Sequence, residues 1–341
     1  MDARLDAEGC MSIKRHRSDS QGDNVPSTSS DYYWDSYSNF AIHEEMLKDV
    51  PRTGTYRDAI LGAKDKFEGK IVLDVGCGTG ILSLFAAQAG AAKVYAIDYS
   101  DIVEEAKEVV RLNGYTNVVE VIKGKVEDII LPVEKVDIII SEWMGYALLY
   151  EGMLQSVICA RDRFLKADGV LFPSSSQLYL CAVEDEEYRS EKIDFWSNVW
   201  GFNMANFAVL SLQDPLVDTI VPDAIISSEA CIQTLDLSTC TIEDTHVHSD
   251  FTLEITRLDH CHGVLVYWKV GFPGGEILST APQDPYTHWK QTILYLQRPL
   301  VLGEEDRQLS GSMHMVPNAQ NPRDLDLTLT LQDITQCFRM R

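Results

Sequence analysis

The run VLDVGCGTG, residues 72–80, constrains the fold more than any other part of the chain. A β-branched apolar strand enters three alternating glycines, Gly76, Gly78 and Gly80, and the helical pattern GILSLFAAQAG begins at once. Glycine at such a strand end takes positive φ without a Cβ clash and lets the backbone approach a ligand closely. The next segments keep the rhythm. KVYAIDYS is a second strand ending in Asp98, and DIVEEAKEVVRLNG places Val103, Ala106, Val109 and Val110 on one helical face before stopping at Asn113-Gly114. VVEVIKG and KVDIIISE are further Ile/Val-rich strands. Strands alternating with helices imply a parallel sheet covered on both faces.

After GVLFP, residues 169–173, the pattern changes. QLYLCAV, FTLEITRL, GVLVYWKVGF, QTILYLQRPL and DLDLTLTLQD alternate apolar and polar residues, which predicts antiparallel strands with one wet face. The interruption YRSEKIDFWSNVWGFNMANF is rich in aromatics and is expected to be helical, and so apolar an excursion needs a cover. At the other end, residues 1–30 lack apolar periodicity and are expected to be a disordered tail, in which Lys14 to Arg17 form a basic patch. Helical patterning starts at DYYWDSY and runs to YRDAILGA. The expected organisation is therefore a tail over 1–30, N-terminal helices with an α/β Rossmann-like domain over 31–172, and an antiparallel β-barrel domain over 173–341 with an arm at about 186–216.

Composition excludes several classes of partner. A net charge of −23 disfavours nucleic acid, because an acidic surface repels phosphate and attracts basic peptides. No apolar run is long enough for a membrane helix, and the N-terminus lacks a secretory apolar segment. Eight cysteines without a C-x-x-C pair suit free thiols in a reducing compartment. His246 with His248, and His260 with His262, have a zinc-compatible spacing, but exposed strand residues alternate in any case, and no metal is expected.

The glycine turn and the acid at the next strand end together favour ligand binding, with Asp98 suited to two ribose hydroxyls. The spacing is G-x-G-x-G rather than the dinucleotide G-x-G-x-x-G, and Asp74 beside it disfavours a pyrophosphate and suits an ammonium. S-adenosylmethionine carries an ammonium, a ribose and a sulfonium, and the stretch is similar to that of class I methyltransferases. Downstream, SEWMGYALLYEG sets Glu142 and Glu151 nine positions apart. A continuous helix would turn about 900° between them and place them on opposite faces. A strand would separate them by about 30 Å. Only a doubled-back loop, as Gly145 permits, brings the carboxylates together, and they would then need a cation between them. A planar guanidinium fits best. Spacing alone leaves this arrangement and two solvated acids equally open, but Glu142 closes a strand of the parallel sheet, where ligands bind.

SEWMGYALLYEGML resembles the double-glutamate loop of the protein arginine N-methyltransferases. YYWDSY, HEEMLKD, RTGTYR, VLDVGCGTGIL, GKVEDIILP, DPYTHWKQT and NPRDLDL match that family in order across residues 32–341, and the type I members are the most similar. The resemblance implies an enzyme that moves methyl groups from S-adenosylmethionine, leaving S-adenosylhomocysteine, to arginine nitrogens in proteins, giving mono- and asymmetric dimethylarginine. It also implies roles. Glu142 and Glu151 hold the substrate guanidinium, and His288 orients Glu151 or assists proton release with Asp49 as its partner. On the donor side, Arg52 pairs with the methionyl carboxylate, Asp74 faces the ammonium, and Gly76 and Gly78 line the cradle. Asp98 takes the ribose, and Glu127 contacts the adenine amine with His43 nearby. The family usually has glutamate at the position of Asp98, so donor affinity or strand-end spacing is expected to differ. Tyr33, Trp34 and Tyr37 correspond to a helix folding over the donor, with Trp34 bulkier than the usual phenylalanine. Met46 and Met153 narrow the pocket, and Trp289 adjoins it. The arm implies a ring-shaped homodimer. Arginine-rich substrates, either Arg/Gly-rich or histone-like and including RNA-binding proteins, and a cytoplasmic or nuclear location complete the expectation. A catalytically silent scaffold that binds the donor, or an enzyme restricted to monomethylarginine, are the rivals.

Overall fold

The computed structural model describes residues 40–341, so the tail and Tyr33, Trp34 and Tyr37 lie outside the described residues. Helices α1 (Phe40–Lys48) and α2 (Val50–Gly62) come first. Asp49 separates them: its side chain accepts the Arg52 N–H and caps α2, and Pro51 sits where a missing N–H costs nothing.

Five parallel strands come next: β1 (Ile71–Val75), β2 (Lys93–Asp98), β3 (Val119–Lys123), β4 (Val136–Ser141) and β5 (Leu165–Phe172). Their spatial order is β3-β2-β1-β4-β5. Helices α3 (Ile81–Gln88), α4 (Val103–Leu112) and α5 (Met153–Phe164) connect them. Side chains alternate between two cores. Val72, Ala96, Ile138 and Ile140 pack with Tyr56, Ile60 and Ala86, while Leu73, Ile97 and Ile139 face Ala160 and Phe164. Burial on both faces is why the central strands β1, β2 and β4 are mostly apolar.

Antiparallel strands begin at β6 (Ser175–Val183), just past Pro173. One sheet joins β6, β7 (Leu216–Asp218), β8 (Ala230–Asp236), β10 (His260–Gly271), β11 (Ile277–Ser279) and β12 (Gln291–Val301). The other joins β9 (Val247–Glu254), β13 (Gln308–Pro317), β14 (Leu325–Leu331) and β15 (Ile334–Met340). Their inner faces share one core containing Leu180, Val266, Leu294, Met313, Leu327 and Phe338.

One expectation needs correction. The centre of β10 and the first half of β12, residues 291–296, have no wet face. Their outer side chains Leu265, Tyr267, Ile293 and Tyr295 are covered by Ile193, Leu212 and Ile220 of the arm and its flank. The arm is helical, as expected, but in short pieces: Glu186–Tyr188, Arg189–Ile193, Asp194–Ser197 and Ala205–Ser211. Positive φ at Trp200 (54°) and Gly201 (90°) closes a small hairpin between Val199 and Phe202 and breaks the helical path.

Candidate active site

The order of the parallel sheet reverses between β1 and β4, and the crevice at such a reversal lies beyond the carboxyl ends of the strands. The glycine turn leaves β1 there, and the loop from Glu142 to Glu151 leaves β4. Both border one cavity of about 540 Å³ that α1, the end of β2, residues 124–128, His288, Trp289 and Arg323 complete.

At the donor end, Gly76, Gly78 and Gly80 have φ of 73°, 51° and 83°. A Cβ on Gly76 would fall 2.2 Å from the Met153 methyl, and one on Gly78 would fall 3.3 Å from the His43 ring. The turn is thus a place where only glycine fits. Asp98 fastens it: one carboxylate oxygen accepts the Gly78 N–H at 2.9 Å, and the other accepts the Ser100 N–H and hydroxyl, each at 2.8 Å. The short side chain reaches its own turn and still lines the cavity. Glu127 lines it too, with one carboxylate oxygen accepting the Ser156 hydroxyl at 2.5 Å.

Asp74 departs from the sequence expectation. It is fully buried behind the turn and is not on the cavity wall, so it does not face a ligand ammonium. One oxygen accepts the Ser83 hydroxyl at 2.6 Å, and the other has no partner among the described residues. Burial pushes this carboxyl up to about 7, with the nearby Asp98 adding to the rise and the Ser83 bond opposing it.

The double-acid loop turns on Gly145, where a Cβ would lie 2.1 Å from the Tyr150 carbonyl oxygen. Gly145 and Leu148 exchange backbone bonds of 2.9 and 3.0 Å, and Ala147, Leu148 and Glu151 all take left-handed φ of 46°, 69° and 74°. Glu142 and Glu151 consequently line the same cavity. Their anchors differ. Arg52 donates from Nε (3.0 Å) and Nη2 (2.8 Å) to a single Glu142 oxygen, and its Nη1 turns to the Met46 carbonyl and Thr53. The arginine assigned by resemblance to a donor carboxylate is therefore engaged with Glu142, a pairing that no motif or spacing in the chain signals. Glu151 is held through its backbone. Its N–H donates to the Arg323 carbonyl and its carbonyl accepts from Arg323 Nη1, both at 2.8 Å. Arg323 lies in the NPRDLDL stretch, whose only sequence signal was its resemblance to the family.

His288 reaches the cavity from the C-terminal half. Asp49 accepts both its backbone N–H (2.8 Å) and its Nδ1 (2.7 Å). Burial alone would raise the Asp49 carboxyl, but the His288 ring and the Arg52 and His288 N–H groups hold it below the usual range. Trp289 donates its indole N–H to the Met144 carbonyl at 2.9 Å and so pins the acid loop. Met46 and Met153 are on the wall. Among the described residues, no group of three or more His, Cys, Asp or Glu could hold a metal. His248 instead meets His314 across the sheet at 2.9 Å, and buried His262 joins Asp185 and Glu186 at the root of the arm.

These residues fit S-adenosylmethionine. A cradle without Cβ atoms faces an acid at the β2 end, and the wall mixes cationic, anionic and apolar groups, as an adenosine with a sulfonium and an amino-acid end requires. Residues 174–334 match the model of the arginine methyltransferase oligomerization subdomain, and residues 60–168 match that of ribosomal protein L11 methyltransferase. The chain is 48% identical over 332 residues to protein arginine N-methyltransferase 1 of Chlamydomonas reinhardtii, covering 94% of this chain and 95% of the relative. It is 50% identical over 305 residues to the protein of the same name from Oryza sativa subsp. indica, covering 89% and 79%. Among solved structures, the Trypanosoma brucei PRMT1 enzyme-prozyme heterotetrameric complex with AdoHcy aligns with a TM-score of 0.86 at 44% identity, covering 90% of this chain and 100% of that one. Arabidopsis thaliana protein arginine methyltransferase 10 aligns at 0.79 and 31% identity, covering 90% and 99%.

Proposed function

This chain belongs to the protein arginine N-methyltransferase family, and from that membership we propose how its own residues serve the reaction. It is an S-adenosylmethionine-dependent enzyme that methylates arginine in proteins. The observation that carries the site assignment is the meeting of Glu142 and Glu151 on one cavity wall with the glycine cradle.

S-adenosylmethionine, when bound, supplies an electrophilic methyl group on a sulfonium. Asp98, Glu127, His43 and the Gly76–Gly78 turn hold the nucleoside. Arg52 fixes one oxygen of Glu142 and thereby turns the other toward the substrate. Glu142 and Glu151 grip the flat guanidinium from two sides and draw its positive charge toward the nitrogens they touch. The remaining nitrogen becomes the nucleophile. Orientation of this kind can supply ~7–11 kcal/mol of the barrier. Because the arginine pKa exceeds about 12, the proton leaves with the methyl transfer or after it rather than before. The Asp49 carboxylate holds His288 through Nδ1, which directs Nε2 to the work of orienting Glu151 and passing that proton on. Met46 and Met153 narrow the pocket, consistent with type I products.

The arm supports a homodimer: Trp200 is 96% exposed and Phe202 69%, beside exposed Phe195 and Phe207. Sedimentation as a monomer at micromolar concentration would count against it. Substrates are Arg/Gly-rich or histone-like segments drawn by the net charge of −23, in the cytoplasm or nucleus, where free thiols persist. Mass spectrometry of an Arg/Gly-rich peptide incubated with S-adenosylmethionine tests the assignment. One and then two methyl groups on one nitrogen support it, one group alone marks a monomethylating enzyme, and none with donor bound marks a scaffold.

A further inference from the structure

The conformation of Glu151 is unfavourable by itself. A non-glycine residue at φ 74° crowds its Cβ against the next carbonyl, and such a residue persists only when its surroundings over-determine it. Ala147 and Leu148 are left-handed as well, and Gly152 comes next at 66°. One residue, far along the chain, takes both backbone groups of Glu151: the Arg323 carbonyl accepts its N–H and Arg323 Nη1 donates to its carbonyl, each at 2.8 Å.

The loop that presents Arg323 is itself braced. Asn318 donates its N–H to the Asp324 carbonyl at 2.9 Å and its side-chain amide to Asp326 at 2.8 Å, and the Asn321 amide donates to Asp324 at 2.6 Å. The loop also packs flat on Gly152, where a Cβ would lie 3.1 Å from the Pro322 carbonyl oxygen. Arg323 lines the cavity as well.

We propose that Arg323 is a positioning residue for methyl transfer, fixing the backbone of Glu151 so that the C-terminal sheet sets the second wall of the guanidinium grip. This inference rests on the assignment of Glu151 to the substrate. The Arg323 carbonyl bond survives any substitution, whereas the Nη1 bond needs the side chain, so removing it loosens the strained residue without unfolding the loop. In the full-length protein, Arg323→Met is expected to lower kcat on an Arg/Gly-rich peptide by about 10- to 100-fold, the scale set by small misplacements of reacting groups. The affinity for S-adenosylhomocysteine and the thermal midpoint should be retained. Arg323→Lys, which keeps an N–H donor, should recover part of the rate. Faster hydrogen exchange at the Glu151 amide in Arg323→Met reports the same loosening without any turnover. A wild-type kcat in Arg323→Met overturns the proposal. So does a parallel fall of rate, donor affinity and thermal midpoint, or a Lys variant no better than Met. Should the wild-type protein fail to methylate arginine, the substrate assignment falls, and unchanged exchange at Glu151 would still refute the positioning role by itself.

Discussion

The two glutamates of one short loop are held in opposite ways. Glu142 comes directly after β4, whose end is tied down within its own half of the chain. The Ser141 hydroxyl donates to the Val75 carbonyl at 2.8 Å, the Tyr56 hydroxyl donates to the Ser141 carbonyl at 2.9 Å, and Arg52 grips the Glu142 carboxylate. Glu151 sits in strained backbone, and the bonds to its N–H and carbonyl come from the C-terminal sheet. Two like charges that must face one cation repel when the cation is absent. The Arg52 ion pair fixes the Glu142 carboxylate, and the Arg323 bonds fix the Glu151 backbone, on the wall of one cavity.

The largest expected effect tests what the two share. Glu142→Gln and Glu151→Gln should each cut methyl transfer by about 100- to 1000-fold, as loss of a preorganised electrostatic contact does. Calorimetry with S-adenosylhomocysteine should find donor affinity retained in both. Stability then separates them. Glu142→Gln strands the Arg52 guanidinium, whose side chain is only 8% exposed, and should cost about 3 kcal/mol in urea unfolding. Glu151→Gln should cost much less, and equal losses would break the comparison.

Asp49→Asn weakens the anchor of His288, and an initial-rate assay should show kcat falling by up to about 100-fold with the glutamate loop intact. This carboxyl also carries a pH signature. Its native pKa lies below that of the unfolded chain, so its contribution to stability is complete above about pH 4 and is lost as the pH falls through the native value. Thermal scans at acid pH should therefore show wild type losing more than Asp49→Asn does. Asp74 has the opposite sign. Raised to about 7, it binds its proton in the native state after the unfolded chain has lost it, so it lowers stability as the pH rises from about 4 to 7. In Asp74→Asn, thermal midpoints taken across that range should vary less with pH.

The parallel half was the most legible part of the sequence. The central strands β1, β2 and β4 are mostly apolar because both their faces are covered, and α4 shows its buried Val103, Ala106 and Val110 at helical spacing. The strand β13 escaped notice because Gly311 stands where an apolar residue would mark the period. A Cβ there would lie 2.1 Å from the Thr330 carbonyl oxygen. The outer faces of β10 and β12 were misjudged as wet because their cover comes from the arm and its flank, which no strand pattern encodes. In the site, the need for Gly145 was visible, since a loop cannot double back so tightly around a side chain. Asp74 was misplaced because sequence position beside a ligand turn does not say which way a strand residue points. Here the pleat turns it into the interior.

Periodicity, turn chemistry and the order of strands and helices were thus settled by the chain locally, because they depend on neighbours within a few residues. They determined a parallel sheet with a glycine cradle and an acid at the mouth of each flanking strand. Which partner each acid would take was decided only on folding. Arg52 meets Glu142 and Arg323 meets Glu151 across 90 and 172 residues of sequence, whereas the meeting of His288 with Asp49 across 239 was already implied by the family resemblance. Hydrogen bonds and ion pairs act over a few ångströms of space, and no pattern along the chain records who will arrive there.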